Sequence, residues 1–485
     1  MVTPALWLTA LLGPPLAAAL GSLVDRNTPR VRAVAVACAL VSCLAAGVVT
    51  FVPALSQLTV PWPSPASPWL GPSALRVAGL SAVLVTLPPV LWLVTIAATP
   101  RARLDRAALR RTALATVVVS LAFCTSSPAL LAGCWAASSG LFLAGVSRTA
   151  RGRVMRALTA YHALAVVLLV AGVALTATSP GHARAGLWLI VAAVLIRKGI
   201  FPFHAWIPEA FDRTRIGPTV LFSAPELGTY VAAVLVLPHA PASVLRVVAV
   251  LSLVTAVYGA ALALVQSDAR RTLGYLFVSQ SALVLAGLDC TSQDALTGAL
   301  VLWVSSALAF TGLARTVLAL EARRGRLRLT KYHGGFDQMP LLAASFLAFG
   351  LACAGFPGTL GFVGQELLVD GAVRRFPALG FLTIVAAALT GLAVLRMYFS
   401  LFCGSPGASA TLGLRWREAV VFGGVAAALV VSGVFPVPVV RSLDRASEEL
   451  LGHRMSASTQ GAPEPRPATT PQLAARLDAR PGTPP

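Results

Sequence analysis

Apolar runs long enough to cross a bilayer follow one another along most of this chain, separated by short polar intervals. A helical span needs about 20 apolar residues. The pattern predicts spans at 5–24, 31–53, 76–98, 110–126, 128–146, 155–177, 184–200, 217–238, 243–266, 271–288, 294–320, 339–373, 376–403 and 416–440. That makes about fourteen transmembrane helices, an all-α polytopic membrane fold. The segment 339–373 is long because it is interrupted, and 184–200 continues past an interruption to about Asp212. The first run, Ala5–Leu23, has no basic stretch before it and reads as a retained helix rather than a signal peptide. From 441 to 485 the pattern gives way to a Pro-, Ala-, Arg- and Thr-rich tail expected to be disordered.

Composition agrees. Of 485 residues, 57% are hydrophobic and 12% charged, and mean hydropathy is +0.79. A soluble fold has too little interior for that much apolar surface. The same numbers exclude disorder, a secreted disulfide scaffold and a collagen-like fibre. The net charge of +20 suggests a nucleic-acid binder, but its distribution does not. The basic residues sit in short loops and form no stripe with interleaved aromatics, so nucleic acid is not an expected partner. With the N-terminus outside, inner loops hold 23 Arg and Lys and outer loops hold 5, which fixes that orientation. Fourteen spans then place the C-terminus outside too. Seven cysteines, six within apolar runs and none in a CxxC arrangement, offer no disulfide framework, zinc site or iron–sulfur ligation.

Two stretches break the membrane pattern. One runs from Arg197 through Pro202 to Glu209; the other runs from Gly355 through Pro357 to Glu366. Proline removes a backbone donor and clashes with the preceding turn, so each helix should break there. Broken backbone at membrane depth survives only buried in protein or lining a wet cavity. Paired broken helices in corresponding positions point to a transport site. The expected organisation is three N-terminal helices in 1–109 and two repeats at 110–238 and 243–403, with the last span in 404–440. An odd number of spans in each repeat makes them inverted relative to one another, five helices each with one broken.

Ionisable residues inside spans are costly and usually pair along an interior path. Lys198 lies deep in its helix, Glu226 follows Pro225 in the next span, and His204 sits in the first break. Glu366 and Asp370 follow the second break four residues apart, on one helical face. His162 lies within its span and reads as structural. Arg197, Arg315 and Arg396 lie near inner ends and are expected to snorkel. A buried lysine and glutamate shift each other's proton affinity, which is the chemistry of a proton relay.

The run Lys198–Ile207, with Phe201-Pro202-Phe203-His204-Ala205-Trp206, resembles the antiporter-like membrane subunits of respiratory complex I, Mrp-type sodium/proton antiporters and membrane-bound hydrogenases. Gly217-Pro218-Thr219, the run Ser267–Tyr275 and Gly355–Gln365 resemble further parts of that family, over about 75–440. The resemblance implies two inverted five-helix repeats and proton (or Na+/H+) translocation inside a larger assembly. Lys198, Glu226, Glu366 and His204 would be relay residues, with His162 and Asp370 in lesser roles. It implies no cofactor in this chain. Expected partners are the bilayer and other membrane subunits, with iron–sulfur or flavin redox subunits or one large soluble partner. The expected location is a bacterial inner membrane. Any oxidoreductase activity would belong to the complex.

The chain departs from the family pattern. The usual fifth-span glutamate is missing from Trp135-Ala136-Ala137-Ser138-Ser139, where Ala136 stands in its place. Ser306 or Ala307 occupies an expected lysine position, and Gln365 stands where lysine or glutamate is usual. Only Lys198 is carried over intact, so Glu226 is expected to replace the missing acid as its partner. Two other readings follow: a membrane subunit of an ion-driven inorganic-carbon uptake system, and a divergent scaffold subunit without flux.

Overall fold

Pro, Gly and charge positions divide the apolar runs into helices that pack side by side as a bundle. The computed structural model describes residues 4–51, 58–60, 75–100, 105–125, 127–178, 180–374, 377–404 and 413–460. The helices before the first break are α1 (Pro4–Val24), α2 (Thr28–Phe51), α3 (Leu80–Leu84), α4 (Leu87–Ala97), α5 (Arg106–Phe123), α6 (Pro128–Val146), α7 (Arg153–Thr178) and α8 (Ala183–Lys198). Then come α9 (Trp206–Arg213), α10 (Ile216–Ser223), α11 (Leu227–Val231), α12 (Ala242–Val265), α13 (Ala269–Asp289) and α14 (Gln293–Arg324). The chain continues with α15 (Pro340–Ala354), α16 (Leu360–Val373), α17 (Pro377–Phe402), α18 (Trp416–Val434) and α19 (Val437–Gln460). A short antiparallel hairpin pairs β1 (Leu58–Val60) with β2 (Leu75–Val77). Most of the Pro-rich stretch between them lies outside the described residues.

Among the described residues, eleven helical stretches are long and apolar enough to span a membrane, with α3–α4 and α10–α11 each counting as one; α8 with α9, bent by 42°, makes a twelfth if the pair is counted as one span. The expected fourteen are therefore not all met. Helix α5 is 18 residues long and opens with Arg106, Arg110 and Arg111, and α15 is only 15 residues long before its break. The centre of the bundle is α13 and α14, whose apolar windows are 94% and 89% buried; α17 and α2 bury only 33%. The outer helices present Leu, Val and Phe outward, as a lipid-facing surface requires. Without a hydrophobic drive between helices, close packing depends on small residues. A Cβ on Gly172 would lie 2.7 Å from the Gly186 carbonyl, and one on Gly186 would lie 2.8 Å from the Gly172 carbonyl. Glycine at both positions lets α7 and α8 meet backbone to backbone.

The tail is a second departure from expectation. The segment after 441 is not disordered throughout: α19 runs to Gln460. Leu443, Ala446, Ser447 and Leu450 are buried on one side of it, at the spacing of a single helical face. Asp444 accepts from Thr297 Oγ1 at 3.0 Å, and Thr297 and Ser447 hydroxyls are 2.7 Å apart, which fastens α19 to α14. Residues 461–485 lie outside the described residues.

Both expected breaks are present, and they end their helices in the same way. Gly199 (φ 64°) and Gly355 (φ 76°) are left-handed, a conformation that costs glycine least. Gly199 N–H donates to Ile196 O at 3.1 Å and Ile200 N–H to Leu195 O at 2.9 Å. Gly355 N–H donates to Ala352 O at 3.3 Å and Phe356 N–H to Leu351 O at 2.9 Å. These paired bonds are the Schellman closure of a helix C-terminus. A third break had not been expected. Pro225 and Glu226 interrupt the 217–238 span between α10 and α11, with Glu226 itself at φ 52°. A non-glycine residue held there stores backbone strain and persists only where its surroundings fix it.

Candidate functional site

The first and third breaks converge. Lys198 is the last residue of α8, and Glu226 stands at the head of α11. Lys198 Nζ lies 2.5 Å from Glu226 Oε2, with side-chain exposures of 3% and 2%. Nζ also donates to Thr229 Oγ1 at 2.5 Å, and that hydroxyl donates to Glu226 Oε2 at 2.8 Å. The three groups close a small ring. Its backbone is fixed by neighbours: Glu226 N–H donates to Ser223 O at 3.0 Å, and Trp303 Nε1 donates to Pro225 O at 3.2 Å. Gly228 leaves room for the lysine stem, because a Cβ there would lie 2.9 Å from Lys198 Cγ. A cavity of about 20 Å³ borders the pair, lined in part by Ser223, Ser281 and Trp206. That is the volume a single water requires.

Breaking one partner of a buried ion pair is far more damaging than never having had the pair. Lys198 and Glu226 are therefore mutually dependent. Proton transfer within the ring would discharge both members at once, so the pair and its water-sized cavity are one coupled unit.

Arg197, the neighbour of Lys198, does not snorkel. It is buried, with Nη1 donating to Ser139 Oγ at 2.8 Å and Nη2 to Ser138 Oγ at 2.9 Å. Its guanidinium lies over the rings of Trp135 and Phe222, 4.5 and 4.4 Å from their centroids. The helix that lacks an acid at Ala136 thus offers two hydroxyls to an arginine instead. Arg315 does not snorkel either; it is fully buried. Arg396 donates to Leu264 O and Gln266 O, closing the end of α12.

The other expected site residues are scattered. His162 is buried among Phe142, Trp206 and Phe222, at ring distances of 5.3, 4.6 and 5.1 Å, a packing role. His204 lies in the first break, half-buried against Phe201 and Tyr258. Glu366 and Asp370 point out from α16, and Asp370 pairs with Arg374 at 2.7 Å. Neither joins the buried pair. In the second break the buried polar side chains are Thr359, which donates to Phe356 O at 2.7 Å, and Gln365, packed against Gly355. Gln280 on α13 and Ser305 on α14 are also buried without hydrogen-bond partners among the described residues; Ser305 Oγ would lie 3.2 Å from a Cβ on Gly361, beside the second break.

Asp289 was missed because it falls at the edge of its apolar run. It is buried at the end of α13 and interacts electrostatically with both Lys198 and Arg454. The serine pair at 138–139 within an apolar helix was the available signal for Arg197. At the arginine-rich end of the bundle, Arg270 pairs with Glu321 at 2.6 Å, and Arg326 joins Asp268 at 2.8 Å and Asp212. These pairs tie the start of α13 to the end of α14 and to the end of α9.

A family model described as NADH:quinone oxidoreductase/Mrp antiporter, TM, matches residues 155–390. NADH-quinone oxidoreductase subunit M of Pseudomonas aeruginosa is 29% identical over 266 residues, covering 52% of each chain. Subunit N of Chromohalobacter salexigens is 30% identical over 279 residues, covering 55% of this chain and 58% of that one. The chain thus matches about half the length of these curated relatives. A chain of respiratory complex I from Thermus thermophilus superposes with a TM-score of 0.83 at 23% identity, covering 92% of this chain and 99% of that one. A chain of the Mrp complex from Dietzia superposes with the same TM-score at 19% identity, covering 94% and 99%.

Proposed function

Since the chain belongs to the antiporter-like family of membrane subunits, we propose that it translocates protons as one membrane subunit of a complex I-like or Mrp-like assembly. The observation that carries this reading is the buried Lys198–Glu226 pair at 2.5 Å, placed where two helix breaks meet. Glu226 takes over the part of the acid missing at Ala136. His204, on the same break, stands at the margin of the route. We read 110–238 and 243–403 as two inverted repeats: the helix broken at a left-handed glycine cap is fourth of five in each, and the break at Glu226 is an addition in the fifth span of the first. The strong bias of arginine to one end of the bundle supports an outer location for both termini. The chemistry that drives the ion belongs to partner subunits, redox or soluble.

The test is a double-mutant cycle on proton flux in proteoliposomes, read with an internal pH dye. Lys198→Ala and Glu226→Gln should each abolish flux, and the double variant should lose no more than either alone, because one shared unit fails once. Independent, multiplying losses would overturn the pairing. Unchanged flux in Lys198→Ala would leave the chain a scaffold. Flux that requires sodium on the opposite side would make it an antiporter. Affinity purification in mild detergent then separates redox partners from one large soluble partner.

A further inference from the structure

At the arginine-rich end of the bundle a cavity of about 400 Å³ opens between α4, α5, the Arg213–Pro218 turn and α14. It lies apart from the Lys198–Glu226 pair, and none of the proton-relay residues lines it. Four arginines do: Arg213, Arg215, Arg270 and Arg315. Three have acidic partners. Arg213 faces Glu209 and Asp212 at 3.4 and 3.3 Å, Arg215 faces Asp105 at 3.4 Å, and Arg270 holds Glu321 at 2.6 Å. Arg315 is different. It is fully buried and has no acidic partner among the described residues; its single hydrogen bond runs from Nη1 to Thr99 Oγ1 at 3.3 Å. Among the described residues, Nε and Nη2 have no partner, and neither does the buried hydroxyl of Thr95 on the same wall.

A buried guanidinium without a carboxylate is costly unless something neutralises it. Gly217 is cut to fit it: a Cβ there would lie 3.0 Å from both Nη1 and Nη2. The start of α10, which carries the positive end of the helix dipole, is also in the wall. Asp105, the one acid in the lining among the described residues, is already engaged by Arg215 and by the Ala107 amide at 3.1 Å. We propose that this cavity is an anion site, in which Arg315 and the Thr95 hydroxyl bind the oxyanion of a phosphate group. A guanidinium fork and a hydroxyl are the donors that such a group accepts from. Free phosphate and a phospholipid headgroup share that chemistry.

The full chain in phosphatidylcholine nanodiscs is titrated with sodium phosphate at ionic strength held constant with chloride, and the melting temperature is read. A ligand that binds only the folded state gives a saturable rise. Arg315→Gln should weaken the apparent phosphate affinity by about tenfold or more, the loss expected for a charge-assisted hydrogen bond. Gly217→Ala, which displaces the guanidinium by a few tenths of an ångström, should weaken it less, and it decides the matter if Arg315→Gln does not fold. If phosphatidylglycerol nanodiscs suppress the phosphate response, and native mass spectrometry finds a bound lipid that either variant loses, the headgroup is the occupant. The proposal is overturned if wild type responds to neither phosphate nor phosphatidylglycerol, or if the responses are the same in wild type and in the folded variants.

Discussion

The two broken helices close with the same glycine cap, yet they carry opposite chemistry. The first ends on Lys198, which meets Glu226 at 2.5 Å, with Arg197 beside it on two serines and two aromatic rings. The second ends on Ala354 and faces Gln365, a neutral amide whose Nε2 has no partner among the described residues. Backbone geometry is thus independent of the charges it can hold. A Schellman cap needs only glycine at the right place; a buried charge needs a partner, and of the two glycine-capped breaks only the first supplies one. The proposed relay is accordingly asymmetric, with an ion pair at the first break and a neutral amide at the second.

The largest effect should come from splitting the first-half pair. Removing one member strands the other as a buried charge, which typically costs about 3–5 kcal/mol. Lys198→Ala and Glu226→Gln should each lower the melting temperature sharply. Lys198→Met with Glu226→Leu should recover most of the loss, because a well-packed apolar pair is close to neutral. Failure of the double variant to recover would mean that the strained backbone at Glu226, not the ion pair, holds this region together.

Much of this was legible in the sequence, and the parts that were not share a cause. Lys198 and Glu226 could be read because a charge at bilayer depth has to pair, and they were the deepest opposite charges in adjacent spans. The breaks could be read from Pro202 and Pro357. Arg197 and Arg315 could not, because an arginine near a helix end reads as snorkelling, and only the packing reveals serines, aromatic rings or a cavity around it. The α19 helix was hidden by averaging: its one-sided pattern at Leu443, Ala446 and Leu450 is short, and the Pro-rich residues after 460 dominate the composition of the whole tail. The break at Glu226 has a proline signal, Pro225, but proline predicts a kink and not which neighbour takes the left-handed backbone.

Arg197 offers the next test of the asymmetry. Arg197→Lys keeps the charge but loses the fork to Ser138 and Ser139 and weakens the contact with Trp135 and Phe222. A loss of about 2–4 kcal/mol follows from charge-assisted hydrogen bonds and desolvated cation–π contacts together. The measurement is unfolding in a mixed-micelle denaturant titration. Ser138→Ala with Ser139→Ala should mimic most of it; a variant as stable as wild type would show that the rings alone hold the guanidinium.

In the second half the expected sign reverses. Gln365→Leu replaces an unpaired buried amide by an apolar group of similar size, which removes a desolvation cost of about 1–3 kcal/mol. The variant should be as stable as wild type or more so, and its proton flux should stay within about twofold. A loss of flux of about tenfold, equivalent to about 1.4 kcal/mol at the barrier, would place Gln365 on the route and erase the contrast between the halves.

The smallest effects should come from the outward acids of α16. Asp370 and Arg374 form an exposed i,i+4 pair, worth about 0.3–0.5 kcal/mol and screened at high salt. Asp370→Asn should therefore shift the melting temperature slightly at low ionic strength and not at about 1 M salt. Glu366 points away from the bundle interior, so Glu366→Gln should leave flux in the isolated chain unchanged. If it abolished flux, the proton would have to pass along the outer face of α16, and the charge missing from the second break would then lie one residue further on, beside Gln365 rather than in its place.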